Sequence, residues 1–117
     1  PPAQTRNPYL RGSQMADRYL KLKSDDAQGF AQLSWILANL GEGAKARAML
    51  AKAESIATER GEVAFWGAQT MAVLDDVPAA QKQLAAARKE GIPEVRIAAT
   101  PVLRRLAAQE MTASRAP

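Results

Sequence analysis

Residues 45–53 read KARAMLAKA, a stretch in which four alanines, one leucine and one methionine lie among three basic residues. Alanine has the highest helix propensity of all residues, so this composition by itself predicts a helix. A small side chain also lets a second helix approach closely, because the distance between packed helices depends on the side chains at their contact. A recurrence of the same alanine spacing elsewhere in the chain would indicate close packing rather than helix propensity alone.

The composition of the whole chain points to packed helices. Its 117 residues fit one domain, and apolar residues make up 47% of them while aromatic residues make up only 5%. Alanine therefore supplies much of the apolar total, which disfavours a sheet, because strands prefer β-branched and aromatic side chains. No segment shows the alternation of a strand. The sequence predicts an all-α fold.

Local signals divide the chain into about six antiparallel helices joined by connections of a few residues. Three breaks each pair an N-cap candidate with a proline suited to the first turn of a helix: Asn7-Pro8, Asp75 or Asp76 with Pro78, and Thr100-Pro101. Gly41, Gly61 and Gly91 are predicted to end helices, and Ile92-Pro93-Glu94 is predicted to be a turn. The predicted helices cover residues 8–23, 27–40, 44–60, 62–74, 79–90 and 100–111.

When the sequence is aligned with itself at a shift of 34 residues, Ala46 falls on Ala80 and the surrounding residues also match. Such self-similarity at a fixed period is the signature of a repeat architecture. We call this shift the repeat offset. The match covers two consecutive helices and the turn between them, and it includes the alanines of KARAMLAKA. Related by the repeat offset are Ala46 and Ala80, Leu50 and Leu84, Ala53 and Ala87, Ser34 and Ala68, Leu37 and Met71, Leu40 and Leu74, and Gly41 and Asp75.

These positions resemble the tetratricopeptide repeat family, whose unit of about 34 residues is a helix, a turn and a second helix. The family places a small residue midway along the first helix and an alanine, a bulky residue and an alanine in the second. The resemblance implies a right-handed α-α superhelix forming a single domain over residues 1–117. Its parts are repeat units at about 27–60 and 61–94, an N-terminal helix at about 8–23 and a capping helix at about 100–111.

The chain departs from the family pattern at three places. The early aromatic residue is Phe30 in the first unit but Ala64 in the second, and Gly67 stands where a leucine is usual. The proline that closes each unit is missing at Thr58 and displaced to Pro93. These departures affect the expected helix boundaries more than the fold.

The resemblance also implies a function, because family members bind peptides or helices in a groove lined by the first helix of each unit. It implies non-catalytic binding of another protein or peptide. A carboxylate clamp of lysine and asparagine found in some members is absent here. Further inner positions fall on Ala38, Glu62 and Val73. The partner-binding residues predicted in this way are Ala31, Trp35, Asn39, Phe65, Gln69 and Ala72.

An alternative to an open groove remains at this point. The sequence shows no other helix against which the N-terminal helix would pack. That helix is therefore as good a candidate as a foreign peptide to cover Trp35 and Phe65. The groove would then be filled by the chain itself. The module would in that case be structural, and would form a homo-oligomer through its helical faces.

Other classes of function find little support. The chain has no histidine and no cysteine, which removes the commonest general base and every thiolate metal ligand. The pairs Asp25-Asp26 and Asp75-Asp76 fall at helix starts, where carboxylates favour the helix dipole. We therefore predict no enzyme activity and no catalytic, cofactor-binding or metal-binding residues.

Nucleic acid and membranes are also disfavoured as partners. The net charge is +4, and the basic clusters lack the interleaved aromatic residues of a base-stacking platform. Weak electrostatic binding of an acidic partner by the basic helices remains an alternative. No run of 18 apolar residues exists, so no membrane span is predicted.

The ends of the sequence suggest a larger parent protein. The chain opens Pro1-Pro2-Ala3 without an initiator methionine, so we expect a trimmed or processed product and a piece of a longer chain. Residues 97–106, IAATPVLRRL, are similar through Pro101, Leu103 and Leu106 to the closing segment of bacterial multidomain signalling proteins with C-terminal repeat arrays. We expect further repeats upstream or self-association through the exposed end. The cytoplasm is the expected compartment, with the periplasm left open.

Overall fold

The computed structural model describes residues 14, 17, 18, 21, 22 and 25–115. Residues 25–115 form six helices and contain no strand, which confirms the predicted all-α class. The right-handed superhelix implied by the resemblance stays a prediction. The helices are α1 (Ala27–Asn39), α2 (Gly43–Ile56), α3 (Arg60–Val73), α4 (Val77–Lys89), α5 (Glu94–Ala98) and α6 (Pro101–Arg115).

Six helices were predicted, but the set differs from the one observed. Most of the predicted helix over residues 8–23 lies outside the described residues, although the five described positions within it are helical. Helix α5 was not predicted, since Pro93 was assigned to a turn and instead precedes a five-residue helix. The prediction that Gly61 ends a helix is wrong, because the extended backbone of Ala57 ends α2 first and Gly61 lies in the first turn of α3.

The end of α1 shows how the chain turns between paired helices. Gly41 has a φ of 81°, in the left-handed region that glycine adopts without steric cost. Its N–H donates to the carbonyl of Ala38, and the N–H of Glu42 donates to the carbonyl of Leu37, both at 3.0 Å. These two bonds form a Schellman motif, which satisfies carbonyl groups left open at the end of a helix.

The same motif ends α3, at the position that the repeat offset relates to Gly41. Asp75 has a φ of 60° although it is not glycine. Its N–H donates to the carbonyl of Ala72 and the N–H of Asp76 donates to that of Met71, at 3.1 and 2.9 Å. The repeat offset found in the sequence therefore recurs in the backbone conformation and hydrogen bonding of the two turns.

The pairs Asp25-Asp26 and Asp75-Asp76, which the sequence places at helix starts, supply the caps of α1 and α4 through their second members. The Asp26 side chain accepts a hydrogen bond from the N–H of Gly29 at 2.9 Å at the start of α1. The Asp76 side chain accepts one from Ala79 at 3.3 Å at the start of α4, where Pro78 lies in the first turn. These carboxylates satisfy helix N–H groups that have no partner within the helix.

The helices pack through the alanines that the repeat predicted. Helix α1 contacts α2 and α3, helix α3 contacts α4, and α6 contacts α3, α4 and α5. Leu50 and Leu84 are almost completely buried between pairs of alanines. Those alanines retain no accessible surface, so the paired helices meet at small side chains, which permit short interaxial distances. The four are Ala46, Ala53, Ala80 and Ala87.

A polar contact joins α1 to α3 inside the core. The hydroxyls of Ser34 and Thr70 are 2.9 Å apart and both residues are fully buried. The carbonyl oxygen of Ala31 lies 2.6 Å from the Ser34 hydroxyl, and that of Trp66 lies 3.0 Å from the Thr70 hydroxyl. Each hydroxyl has one proton, so one hydroxyl donates to the other, which donates to its own carbonyl. This arrangement satisfies both buried hydroxyls and fixes α1 against α3.

Replacing Gly41 with alanine tests the left-handed turn. No atom lies within 4 Å of the added Cβ, so the cost comes from the backbone conformation alone. We expect Gly41→Ala to lower the free energy of unfolding by about 1 kcal/mol in a urea titration. Gly43→Ala is the matched control, because its Cβ makes only an ordinary 3.4 Å contact with Leu74 and favours the first turn of α2. Equal losses in both variants would contradict the assignment.

Candidate functional site

The six predicted partner-binding residues lie on α1 and α3, which pack against each other. Three of them are buried: Ala31 retains no accessible surface, and Phe65 and Gln69 retain 5% and 6%. Trp35 and Ala72 are half-buried, and Asn39 is exposed. In this conformation only the last three offer surface to a partner, and the binding role of all six stays a prediction. Of the further inner positions, Ala38 is buried, Glu62 is half-buried and Val73 is exposed.

Trp66 connects the aromatic residues of the two helices and was not among the predicted site residues. Its ring meets Trp35 edge to face at 5.8 Å between centroids and meets Phe65 in the same manner at 6.1 Å. Such pairs are stabilised beyond their buried area by the ring quadrupoles. The repeat alignment places Trp66 outside the predicted groove positions. The repeat pattern therefore gave no reason to predict it as a partner-binding residue. We call Trp35, Phe65 and Trp66 the aromatic cluster.

The two amide side chains of the predicted site are folded onto their own helices. Asn39 donates from Nδ2 to the carbonyl of Trp35 at 2.9 Å, and Gln69 donates from Nε2 to that of Phe65 at 3.4 Å. Both were expected to bond the backbone of a bound peptide. Because Gln69 is buried, only the exposed Asn39 has an amide that a peptide can reach.

Helix α5 contacts α3 through the side chain of Arg96. Its guanidinium donates two hydrogen bonds to the Glu62 carboxylate, one of them from Nη2 to Oε2 at 2.7 Å. The same guanidinium lies 4.2 Å from the centre of the Phe65 ring, in cation–π geometry. The hydrogen bond from Arg96 lowers the pKa of Glu62, and the same bond raises the pKa of Arg96. The contact explains why two predicted groove positions are occupied by the chain itself.

A second charged group holds the C-terminal helices on α4. The Arg88 guanidinium bonds Glu94 of α5 at 2.6 Å from Nε and Glu110 of α6 at 3.0 Å from Nη1. The hydrogen bond with Glu94 is the main cause that raises the pKa of Arg88. One side chain of α4 thus contacts both later helices.

The described residues show neither a metal centre nor a membrane span. Within residues 25–115 and the five described positions before them, no three or more carboxylates come together as potential metal ligands. None of the helices that the structure describes is both long and apolar enough to cross a bilayer.

Comparison of the chain with protein-family models, with curated proteins and with solved structures found no match.

The ion pair between Glu62 and Arg96 predicts a pH-dependent contribution to stability. Because the pKa of Glu62 is lower in the folded chain than its ordinary value of 4.5, the contribution is complete above that value. It is lost as the pH falls through the lowered pKa. We expect Glu62→Gln to lower the thermal midpoint at pH 7 and to match the wild-type midpoint once the wild-type carboxylate is protonated.

The measurement is thermal unfolding by circular dichroism from pH 7 down to pH 3. Glu59→Gln is the matched control, since Glu59 is exposed at the start of the same helix and its side chain makes no capping bond. A midpoint difference for Glu62→Gln that stays constant down to the lowest pH would contradict the prediction.

Proposed function

We propose that this chain is a tetratricopeptide-like helical-repeat module that binds a peptide or helix of a partner protein. The observation that carries the proposal is the recurrence of the same features, at the repeat offset, in two consecutive helix pairs. It includes the left-handed residues Gly41 and Asp75 with their hydrogen bonds, and the buried alanines Ala46 and Ala80. Stacked helical repeats present extended surfaces that such proteins use for binding.

The binding surface that fits this proposal is narrower than the predicted groove. It comprises the accessible parts of Trp35 and Trp66, the exposed amide of Asn39, and Ala72 with Val73 at the end of α3. Aromatic rings supply the large rigid contact areas that dominate protein interfaces. The amide oxygen of Asn39 is suited to accept a backbone N–H of the bound segment. Ala31, Phe65 and Gln69 support this surface from within the core.

Selection from a displayed random peptide library provides the test. The chain contains two tryptophans, and both belong to the aromatic cluster, so intrinsic fluorescence reports directly on this surface. We expect selected peptides to change the tryptophan emission. We expect Asn39→Arg to weaken their binding about tenfold, or 1.4 kcal/mol, with an unchanged circular dichroism spectrum.

Ala51→Arg is the matched control, because it adds a positive charge at an exposed position of α2. Its affinity should equal that of the wild type. Failure to select any peptide, or equal binding by Asn39→Arg, would contradict the proposal.

Self-association is the second candidate function, and exposed apolar side chains at the C-terminal end favour it. Val95 on α5 is 76% exposed and Met111 on α6 is 58% exposed. Two helix pairs are also a short array, since about three repeats are usually needed for stability. A second copy that covers this end would extend the stack.

Sedimentation velocity over a range of concentrations tests self-association. We expect a larger species at high concentration in the wild type and only monomer in the variant Val95→Glu/Met111→Glu. The control Gln32→Glu places a carboxylate at an exposed position of α1 and should associate like the wild type. A wild-type chain that stays monomeric at every concentration would exclude this function.

A further inference from the structure

A cleft of about 410 Å³ lies between α2, α3 and α4, apart from the aromatic cluster. Its floor consists of Val63 and Ala64 of α3, both buried, and Ala57 and Ala86 form its walls. Pockets that bind ligands have volumes of about 300–1,000 Å³. The cleft is therefore large enough to take up a substantial side chain of another molecule.

The internal repeat explains why this cleft exists. At the repeat offset, Ala64 corresponds to Phe30 and Ala86 corresponds to Lys52. In the first helix pair Phe30 is buried, and the Lys52 ammonium lies 4.7 Å from the centre of its ring. In the second pair alanine replaces both, so neither the ring nor the ammonium is present. The first helix pair thus carries in its own sequence the side chains that the second pair lacks.

The walls of the cleft are held by close contacts of α4. A Cβ on Gly67 would lie 3.0 Å from the Gln83 side chain, and a Cβ on Gly61 would lie 3.2 Å from the Cβ of Glu90. Gln83 also donates a hydrogen bond to Glu54 of α2 at 2.9 Å, which joins the two walls. Glycine at these two positions lets α4 approach α3 without filling the space above Ala64.

Charges of both signs line the rim. Glu54 and Glu90 contribute carboxylates, and Arg60 and Lys89 contribute cations. None of the four forms an ion pair within the described part of the chain. A rim with unpaired charges of both signs complements a ligand that carries both, and such complementarity directs specificity more than it adds affinity.

We propose that this cleft binds an aromatic side chain of a partner peptide, flanked in the peptide by one basic and one acidic residue. The ring occupies the space over Ala64 and Ala86, as Phe30 occupies the matching space in the first pair. The basic residue pairs with the rim carboxylates and the acidic residue with the rim cations. Buried aromatic anchors of this kind carry most of the binding energy at small interfaces.

The test is titration of the isotope-labelled chain with the peptide acetyl-Gly-Lys-Phe-Glu-Gly-amide, followed by nuclear magnetic resonance. We expect saturable shifts of the backbone amide signals of Gly61, Ala64 and Ala86. A peptide with alanine in place of phenylalanine should produce no shifts at these amides. One with serine at both flanking positions should bind several-fold more weakly.

Variants of the cleft decide whether binding occurs there. Ala64→Phe/Ala86→Lys recreates the side-chain pair of the first unit, and we expect it to raise the thermal midpoint and to abolish the shifts. Ala86→Lys by itself tests the same wall without a new ring in the core and should weaken binding at least several-fold. Ala85→Lys is the matched control, since it adds the same charge at the exposed neighbouring position and should bind like the wild type.

Three results would overturn the proposal. The first is equal binding of the peptide without phenylalanine, and the second is retention of the shifts in the filled variant. The third is concentration-dependent shifts at the same amides without peptide, which would assign the cleft to a second copy of the chain. Asn39→Arg should leave binding of this peptide to the cleft unchanged. The test of the cleft is therefore independent of the test of the peptide-binding surface around Trp35, Asn39 and Trp66.

Discussion

The close contact of paired helices at alanine is the constraint on which the rest of the structure depends. Ala46 and Ala53 on α2, with Ala80 and Ala87 on α4, retain no accessible surface. A larger side chain at any of them would push the paired helices apart, because the interaxial distance follows the size of the residues at the contact. Helices α1 and α3, the first members of the two pairs, lie side by side. The hydroxyl contact between Ser34 and Thr70 and the ring contact between Trp35 and Trp66 both require that placement.

The features that sequence reasoning predicted are those that local chemistry decides. The left-handed turn at Gly41, the capping carboxylate of Asp76 and the proline at position 78 act within a few residues of their own positions. Helix α5 escaped prediction because five residues are too few for a stable isolated helix. It depends on contacts distant in sequence, namely the bond from Arg96 to Glu62 and the burial of Ile97.

The candidate site was only partly predictable for a related reason. A periodic pattern shows which helix face is apolar, but not which element covers it. Helix α3 has neighbours on several sides, and most of its residues from Val63 to Met71 are buried. A helix surrounded in this way has little free inner face, so Phe65 and Gln69 lie in the core although repeat counting places them in a groove. Arg96 adds a contact on Phe65 that requires knowledge of α5.

The two helix pairs agree at buried alanine positions and differ at positions that line the cleft. Where the repeat offset keeps a residue, as from Ala46 to Ala80, the side chain lies at a helix contact that both pairs need. At two other positions related by the repeat offset, the second pair has Ala64 in place of Phe30 and Ala86 in place of Lys52. The second pair keeps its helix contacts there, and a cleft lies beside these two alanines. An empty space in a core is normally unfavourable, because its lining loses packing contacts. A cleft open to solvent with charges at its rim avoids much of that cost, as the proposed binding of a foreign side chain by the second pair requires.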